Sequence, residues 1–191
     1  MRVRDPEAKQ RRLLDAALTE FGERGLEGAR IDALAARAEC SSGLVYTYFG
    51  SKDGLFDAVM EDISTQMVDQ IPLMPEDLPE YAVRLYDAHA ANPDVGRFVS
   101  WYQLERREAG AASMAAELIT DEKTGRIAAA QRAGILSSRL TPAEIVLAVQ
   151  TIARTWFTLP AATLAALEPT GSDEARREIV RRTVAALLAA P

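Results

Sequence analysis

Residues 40–52 read Cys40-Ser-Ser-Gly-Leu-Val-Tyr46-Thr-Tyr-Phe-Gly-Ser-Lys52, that is, "CSSGLVYTYFGSK". Two tyrosines stand one residue apart beside a phenylalanine, small polar residues precede them, and a lysine follows. Ser41 can cap a short helix that ends near Gly50, and Ser51 can cap the next. On that helix Val45 and Phe49 lie four apart and suit a core. Ser42, Gly43, Tyr46 and Thr47 share the opposite side. Gly43 adds no bulk, so backbone can approach a neighbour closely. Ser42, Tyr46 and Thr47 offer hydroxyls to bases or phosphates, and Lys52 opens a helix whose free N–H groups also suit a phosphate. The same composition fits a surface helix with two partly buried tyrosines.

Outward from this stretch the pattern is helical. Leu14, Ala17, Leu18 and Phe21 fall at i, i+3, i+4 and i+7, and this first helix is expected to stop near Gly22 and Gly25. Ile31, Leu34, Ala35 and Ala38 form a short second helix. A tight turn between it and the helix at 42–48 completes the parts of a helix-turn-helix. A fourth helix from Ser51 shows the face Phe56, Val59, Met60, Ile63 and Met67, and Pro72 and Pro75 then break the chain.

Five further helices are expected: from Asp77 to about Ala91, after Asn92-Pro93, over roughly 111–133, from Thr141, and from Ser172. Thr141, Pro142 and Glu144 give the clearest start signal, a capping box with proline at the first helical position. No strand alternation or repeat is evident. The expected fold class is all-α, with about nine helices: a helix-turn-helix domain at 1–52 and a second domain at 53–191.

Composition narrows the function. The net charge is −6, yet residues 1–55 carry nine Lys/Arg and nine Asp/Glu, so the whole acidic excess lies beyond them. Five cations fall within the first twelve residues. A cationic end on an acidic body fits a protein of which one end meets phosphate, and also fits an acidic protein with a basic tail. Cys40 is the single cysteine, so no internal disulfide forms. Without an apolar leader or membrane-length run, the chain is expected to be cytoplasmic. One histidine and one cysteine give no zinc cluster, and "GERGLEG" ends a helix instead of following a strand, so it is no phosphate loop. No catalytic residue, metal or cofactor is assigned; a carboxylate-only active site stays open on sequence grounds. Cys40 is read as packing rather than as a redox sensor.

The segment from about Ala8 to Ile63 resembles the DNA-binding domain of the TetR family of bacterial transcriptional regulators. The resemblance lies in "LLDAALTEF", in "LAARA", and above all in "YTYFGSKDGLF" with its Tyr-x-Tyr-Phe-x-x-Lys-x-x-Leu pattern. These motifs cover about a third of the chain. The resemblance implies that Ser42, Gly43 and Tyr46 read bases, that Leu44, Thr47, Tyr48 and Lys52 meet the DNA backbone, with Thr47 within reach of a base, and that Arg30 substitutes for a phosphate-binding hydroxyl. The sequence departs from the pattern at Glu39-Cys40, where the turn usually carries glycine and a small aliphatic residue. A non-glycine residue in a left-handed turn costs about 1 kcal/mol. A relative that has lost DNA binding and acts as a protein-interaction dimer is the alternative this departure and Leu44 keep open.

In the second domain the helix from Thr141 to Leu159 is apolar nearly all round, with one stripe at Ile145, Val149, Ile152 and Trp156 and another at Val146, Ala153 and Phe157. Such a helix is buried on two sides. The last helix adds Val180, Val184, Leu187 and Leu188. Helices 141–159 and 172–189 of two chains are expected to pair as a four-helix homodimer interface; both stripes also fit intrachain core. Tyr86, His89, Phe98, Trp101, Tyr102, Arg126 and Trp156 are candidate walls for a partly apolar small-molecule effector, and fit a plain helical core equally well. The resemblance implies a repressor that holds a near-palindromic double-stranded DNA operator and releases it when the effector binds.

Overall fold

The computed structural model describes residues 6–106, 121–167 and 171–189. Among these residues the protein is all-helical, with ten helices: α1 (Pro6–Gly28), α2 (Ile31–Arg37), α3 (Ser42–Phe49), α4 (Lys52–Gln70), α5 (Leu78–Ala91), α6 (Pro93–Glu105), α7 (Asp121–Arg132), α8 (Pro142–Thr158), α9 (Ala161–Leu167) and α10 (Asp173–Leu188). The short α9 goes beyond the nine expected. The start of the helix expected at 111–133 and the side chain of Met67 lie outside the described residues.

Local chemistry explains most boundaries. Asp77 caps α5 by accepting from the Glu80 N–H at 3.0 Å, and Ser172 caps α10 by accepting from the Ala175 N–H at 3.2 Å. Thr141 and Glu144 form the reciprocal capping box, with the Thr141 N–H donating to the Glu144 carboxylate at 2.7 Å. Ser51 Oγ accepts from the Gly54 N–H at 2.9 Å at the head of α4. Ser41 stands at the N-cap of α3 but its side chain makes no capping bond.

The first helix is interrupted at Gly25 (φ 68°, ψ −178°), as the sequence suggests, and not at Gly22; it resumes to Gly28. Only glycine occupies that backbone region readily, and a Cβ there would sit 2.8 Å from the Trp101 ring. The break lets α6 press its indole onto the α1 backbone.

The chain forms two compact units. The first gathers residues 6–68 and 93–106, hence α1–α4 (α4 as far as Val68) together with α6. It reaches well past residue 52, because α6 packs along α1. Phe56 is its hub: Phe21 meets it edge-on at 5.0 Å, Phe98 lies 4.9 Å away and Tyr102 stacks at 5.2 Å. Such pairs add roughly 0.5–1.5 kcal/mol each beyond the area they bury. Arg106, past the end of α6, lies 5.3 Å over Phe56 and pairs with Asp53 at 2.9 Å and Asp57 at 3.1 Å, which fastens α6 to the first turns of α4.

The second unit holds α5 and α7–α10. Helix α5 packs on α10 and α8, and α7 packs on α8. Its buried side chains include Tyr81, Leu85, Tyr86, Ile127, Ile145, Val149, Val180 and Val184. Ion pairs Arg177–Asp87 at 2.6 Å and Arg181–Glu80 at 3.1 Å flank the α5–α10 contact. Arg139 donates to the Leu187 carbonyl at 2.6 Å, placing a cation at the C-terminus of α10.

Candidate nucleic-acid interface

Helix α2 ends in a double-bonded C-cap. The Cys40 N–H donates to the Ala35 carbonyl at 2.9 Å and the Glu39 N–H to the Ala36 carbonyl at 3.1 Å, the two bonds of a Schellman motif. Glu39 sits at its left-handed position with φ 53°, the one positive-φ non-glycine residue among those described. Cys40 is half-buried against the core and burial pushes its thiol up, while Arg12 and Lys9 pull the other way. A raised thiol pKa makes the sulfur a poor nucleophile, in keeping with a packing role.

The turn sets α3 on the first unit with Val45 fully buried and Phe49 half-buried against the core. Gly43, Tyr46 and Thr47 are exposed. Tyr46 leaves 53 % of its surface open and its hydroxyl has no hydrogen bond among the described residues. A Cβ on Gly43 would meet only the Ser41 hydroxyl, at 4.0 Å. The fold therefore makes no demand for glycine at 43, and a surface left that bare suits the approach of something external.

The other hydroxyls are committed internally. Ser42 Oγ donates to Asp32 at 2.6 Å, tying α3 to α2, and Thr47 Oγ1 donates to the Gly43 carbonyl at 2.9 Å. Leu44 and Tyr48 are half-buried and lean on the core, with the Tyr48 ring 6.1 Å from Phe49. The Lys52 ammonium donates to the carbonyls of Glu27 and Ala29, both at 3.3 Å, and so closes the end of α1 as well as opening α4. Arg30 is exposed at the N-cap of α2, and its backbone N–H donates to Glu20 at 3.2 Å.

Of the seven candidate effector residues, Phe98, Trp101 and Tyr102 belong to the first unit. Phe98 and Tyr102 are buried in its aromatic cluster and Trp101 covers Gly25, so these three serve the core that holds α6. The other four lie in the second unit. Tyr86 is buried, donates to Asp173 at 3.0 Å and rests 5.1 Å from Phe157. His89 lies 5.7 Å from Phe157, and burial, helped by the nearby Arg154 charge, pulls its pKa down to about 4. Trp156 receives the Arg176 guanidinium at 5.7 Å, and Arg126 is exposed.

Three functional-looking residues escaped the sequence reading. Glu20 is 2 % exposed and joins Arg24 at 3.2 Å to the Arg30 backbone; its place seven after Leu13 on the buried stripe was the available signal. Asp32 fixes Ser42 without any sequence signal. Arg154 is the only charge between residues 145 and 167, a signal that was legible.

Comparison with known proteins agrees with this geometry. The family described as "Bacterial regulatory proteins, tetR family" matches residues 13–59, and "Tetracyclin repressor-like, C-terminal domain" matches residues 77–185. An HTH-type transcriptional repressor of Streptomyces coelicolor, SCO4008, is 39% identical over 134 residues, covering 70% of this chain and 68% of its own. The HTH-type regulator BetI of Escherichia coli is 36% identical over 77 residues, 40% of each chain. The solved structure of the putative transcriptional regulator SCO4942 from Streptomyces coelicolor superposes with a TM-score of 0.82 at 32% identity, covering 96% of this chain and 99% of that one. The chain belongs to the TetR family of transcriptional regulators.

Proposed function

We propose that the protein is a cytoplasmic, ligand-responsive repressor that grips a near-palindromic operator as a homodimer and lets go when a small effector binds its second unit. The observation that carries the DNA reading is the outward side of α3: Tyr46 exposed with a free hydroxyl beside a glycine that the fold itself does not require. Arg30 is exposed on the same unit. Lys52 spends two of its three N–H donors on carbonyls and has one left for a phosphate.

The dimer reading is supported by apolar side chains left open on a single chain, Leu147 on α8 at 46% exposure and Ile179 on α10 at 40%. Two readers related by a two-fold would address half-sites about one helical turn, roughly 34–36 Å, apart. The effector needs a coupling of about 1–3 kcal/mol, roughly 5- to 150-fold in operator affinity, to act as a release signal.

Binding to the DNA flanking its own gene, measured across a salt series, tests the reading. Affinity should fall steeply with salt, and Lys52→Ala should lower the log–log slope by about one while also loosening the α1–α4 junction. The double variant Leu147→Glu with Ile179→Glu should sediment as a monomer and lose operator affinity. Salt-independent binding would reject the DNA reading, and an unchanged sedimentation coefficient would reject this dimer face.

A further inference from the structure

The arginines of the second unit follow one rule with one exception. Arg84, Arg126, Arg132, Arg139 and Arg182 are exposed, and water suffices for them. Arg176, Arg177 and Arg181 are partly buried, and each meets a carboxylate, Asp173, Asp87 and Glu80 respectively. Arg154 is also partly buried, yet it meets no carboxylate and makes no hydrogen bond among the described residues. Withdrawing a guanidinium from water without a counter-charge is costly, and folds ordinarily supply the partner. Among the described residues that partner is missing.

The surroundings say what kind of partner fits. Along α8, Val146, Gln150, Ala153, Arg154 and Phe157 fall at i, i+4, i+7, i+8 and i+11, one flank of the helix. Phe157 on that flank rests against the rings of Tyr86 and His89 of α5. The cation therefore stands at the edge of an aromatic wall. Burial keeps His89 uncharged at neutral pH, so the place offers one full positive charge rather than two. One planar guanidinium beside aromatic rings matches a single carboxylate, which it can take in bidentate fashion, on an apolar body. A phosphate dianion calls for a second cation.

We propose that Arg154, with His89 and Phe157 beside it, is the anchor for a carboxylate-bearing apolar ligand in the second unit. This deepens, and rests on, the reading of that unit as the effector-binding one.

The test uses the full-length protein with sodium octanoate and sodium 1-naphthoate as probes, each against its neutral amide, by calorimetry. At least one carboxylate should bind tenfold or more tightly than its amide. Arg154→Gln should bring the carboxylate down to the amide's level, and Arg154→Lys, which keeps the charge, should recover most of the affinity. Because Arg154→Gln removes a partly buried charge that has no partner among the described residues, its melting temperature should equal or exceed that of the parent, which separates lost binding from lost folding. Equal binding of acid and amide, carboxylate binding unchanged in Arg154→Gln, or no binding of either carboxylate at 5 mM (on the order of −3 kcal/mol) would each overturn the proposal. Operator affinity measured with the bound carboxylate separates the two claims: binding without release leaves the anion anchor standing and removes the effector role.

Discussion

Hydroxyl groups on α3 look alike in the sequence and differ in the fold. Ser42 and Thr47 have already given their protons to Asp32 and to the Gly43 carbonyl. Each keeps only lone pairs for DNA, so Ser42 can accept from cytosine N4 or adenine N6 but cannot donate to guanine O6. Tyr46 keeps its proton free. Tyr46→Phe should therefore weaken operator binding by about 1–2 kcal/mol, whereas Thr47→Val should leave it within about threefold; competition titrations against the parent protein would show this, and the reverse ranking would mean that the helix meets DNA by another side. Glu39 raises a second issue at this scale. Its φ of 53° is a conformation that suits glycine, and its carboxylate lies 4.0 Å from the Arg12 guanidinium at an exposed site of little worth. Glu39→Gly should raise stability by roughly 0.5–1 kcal/mol, the relief of left-handed strain exceeding the extra chain entropy of glycine. It should also strengthen DNA binding by removing a negative charge beside the reader. A denaturant midpoint that falls would show that the Schellman turn holds Glu39 without strain.

Helices whose ends are set by neighbours within four residues were legible in the sequence. The Thr141–Glu144 box, the Asp77 and Ser172 caps, and the Ser51 start of α4 are all such cases. What could not be read is allegiance between distant elements. Phe98 and Tyr102 show the spacing of a buried stripe whichever core they enter, and only the fold reveals that they join Phe21 and Phe56. Arg106 finds its carboxylates 49 and 53 residues away, a separation that carries no pattern. On α3, helical periodicity marked Gly43, Tyr46 and Thr47, which are exposed, and Ser42, which is partly buried, but it did not show the internal bonds of Ser42, Thr47 and Lys52. The α1 break belongs to the same class. Glycine at 25 marked the interruption, but nothing in the sequence showed that Trp101 presses onto it or that a last turn follows to Gly28. Gly25→Ala should cost about 3 kcal/mol, part from the backbone region and part from the collision with the indole. Combining it with Trp101→Leu should recover only the steric part, and a double-variant cycle by chemical denaturation would give both shares. Simple additivity of the two substitutions would mean that ring and backbone do not press on each other.

Across the whole molecule, charge and titration divide along the chain. The acidic excess lies beyond residue 55, and so does the only histidine. His89 gives the protein an acid sensitivity with a definite sign. Its imidazole titrates near 6.5 in an unfolded chain and at about 4 in the fold, because burial and the Arg154 charge both disfavour the cation. Between those values the unfolded chain takes up a proton that the folded chain refuses. Stability is thus undiminished by His89 above about pH 6.5 and declines as pH falls toward 4, by up to on the order of 3 kcal/mol. His89→Gln removes this contribution, so its stability should fall less steeply than the parent's across that window, while the carboxylates common to both proteins cancel in the difference. Arg154→Gln should move the imidazole the other way, raising its pKa by withdrawing a like charge, and proton NMR of the single histidine would follow that directly. A His89 resonance that titrates near 6.5 in the parent protein would mean that water reaches the ring, and it would take away the uncharged wall against which Arg154 stands.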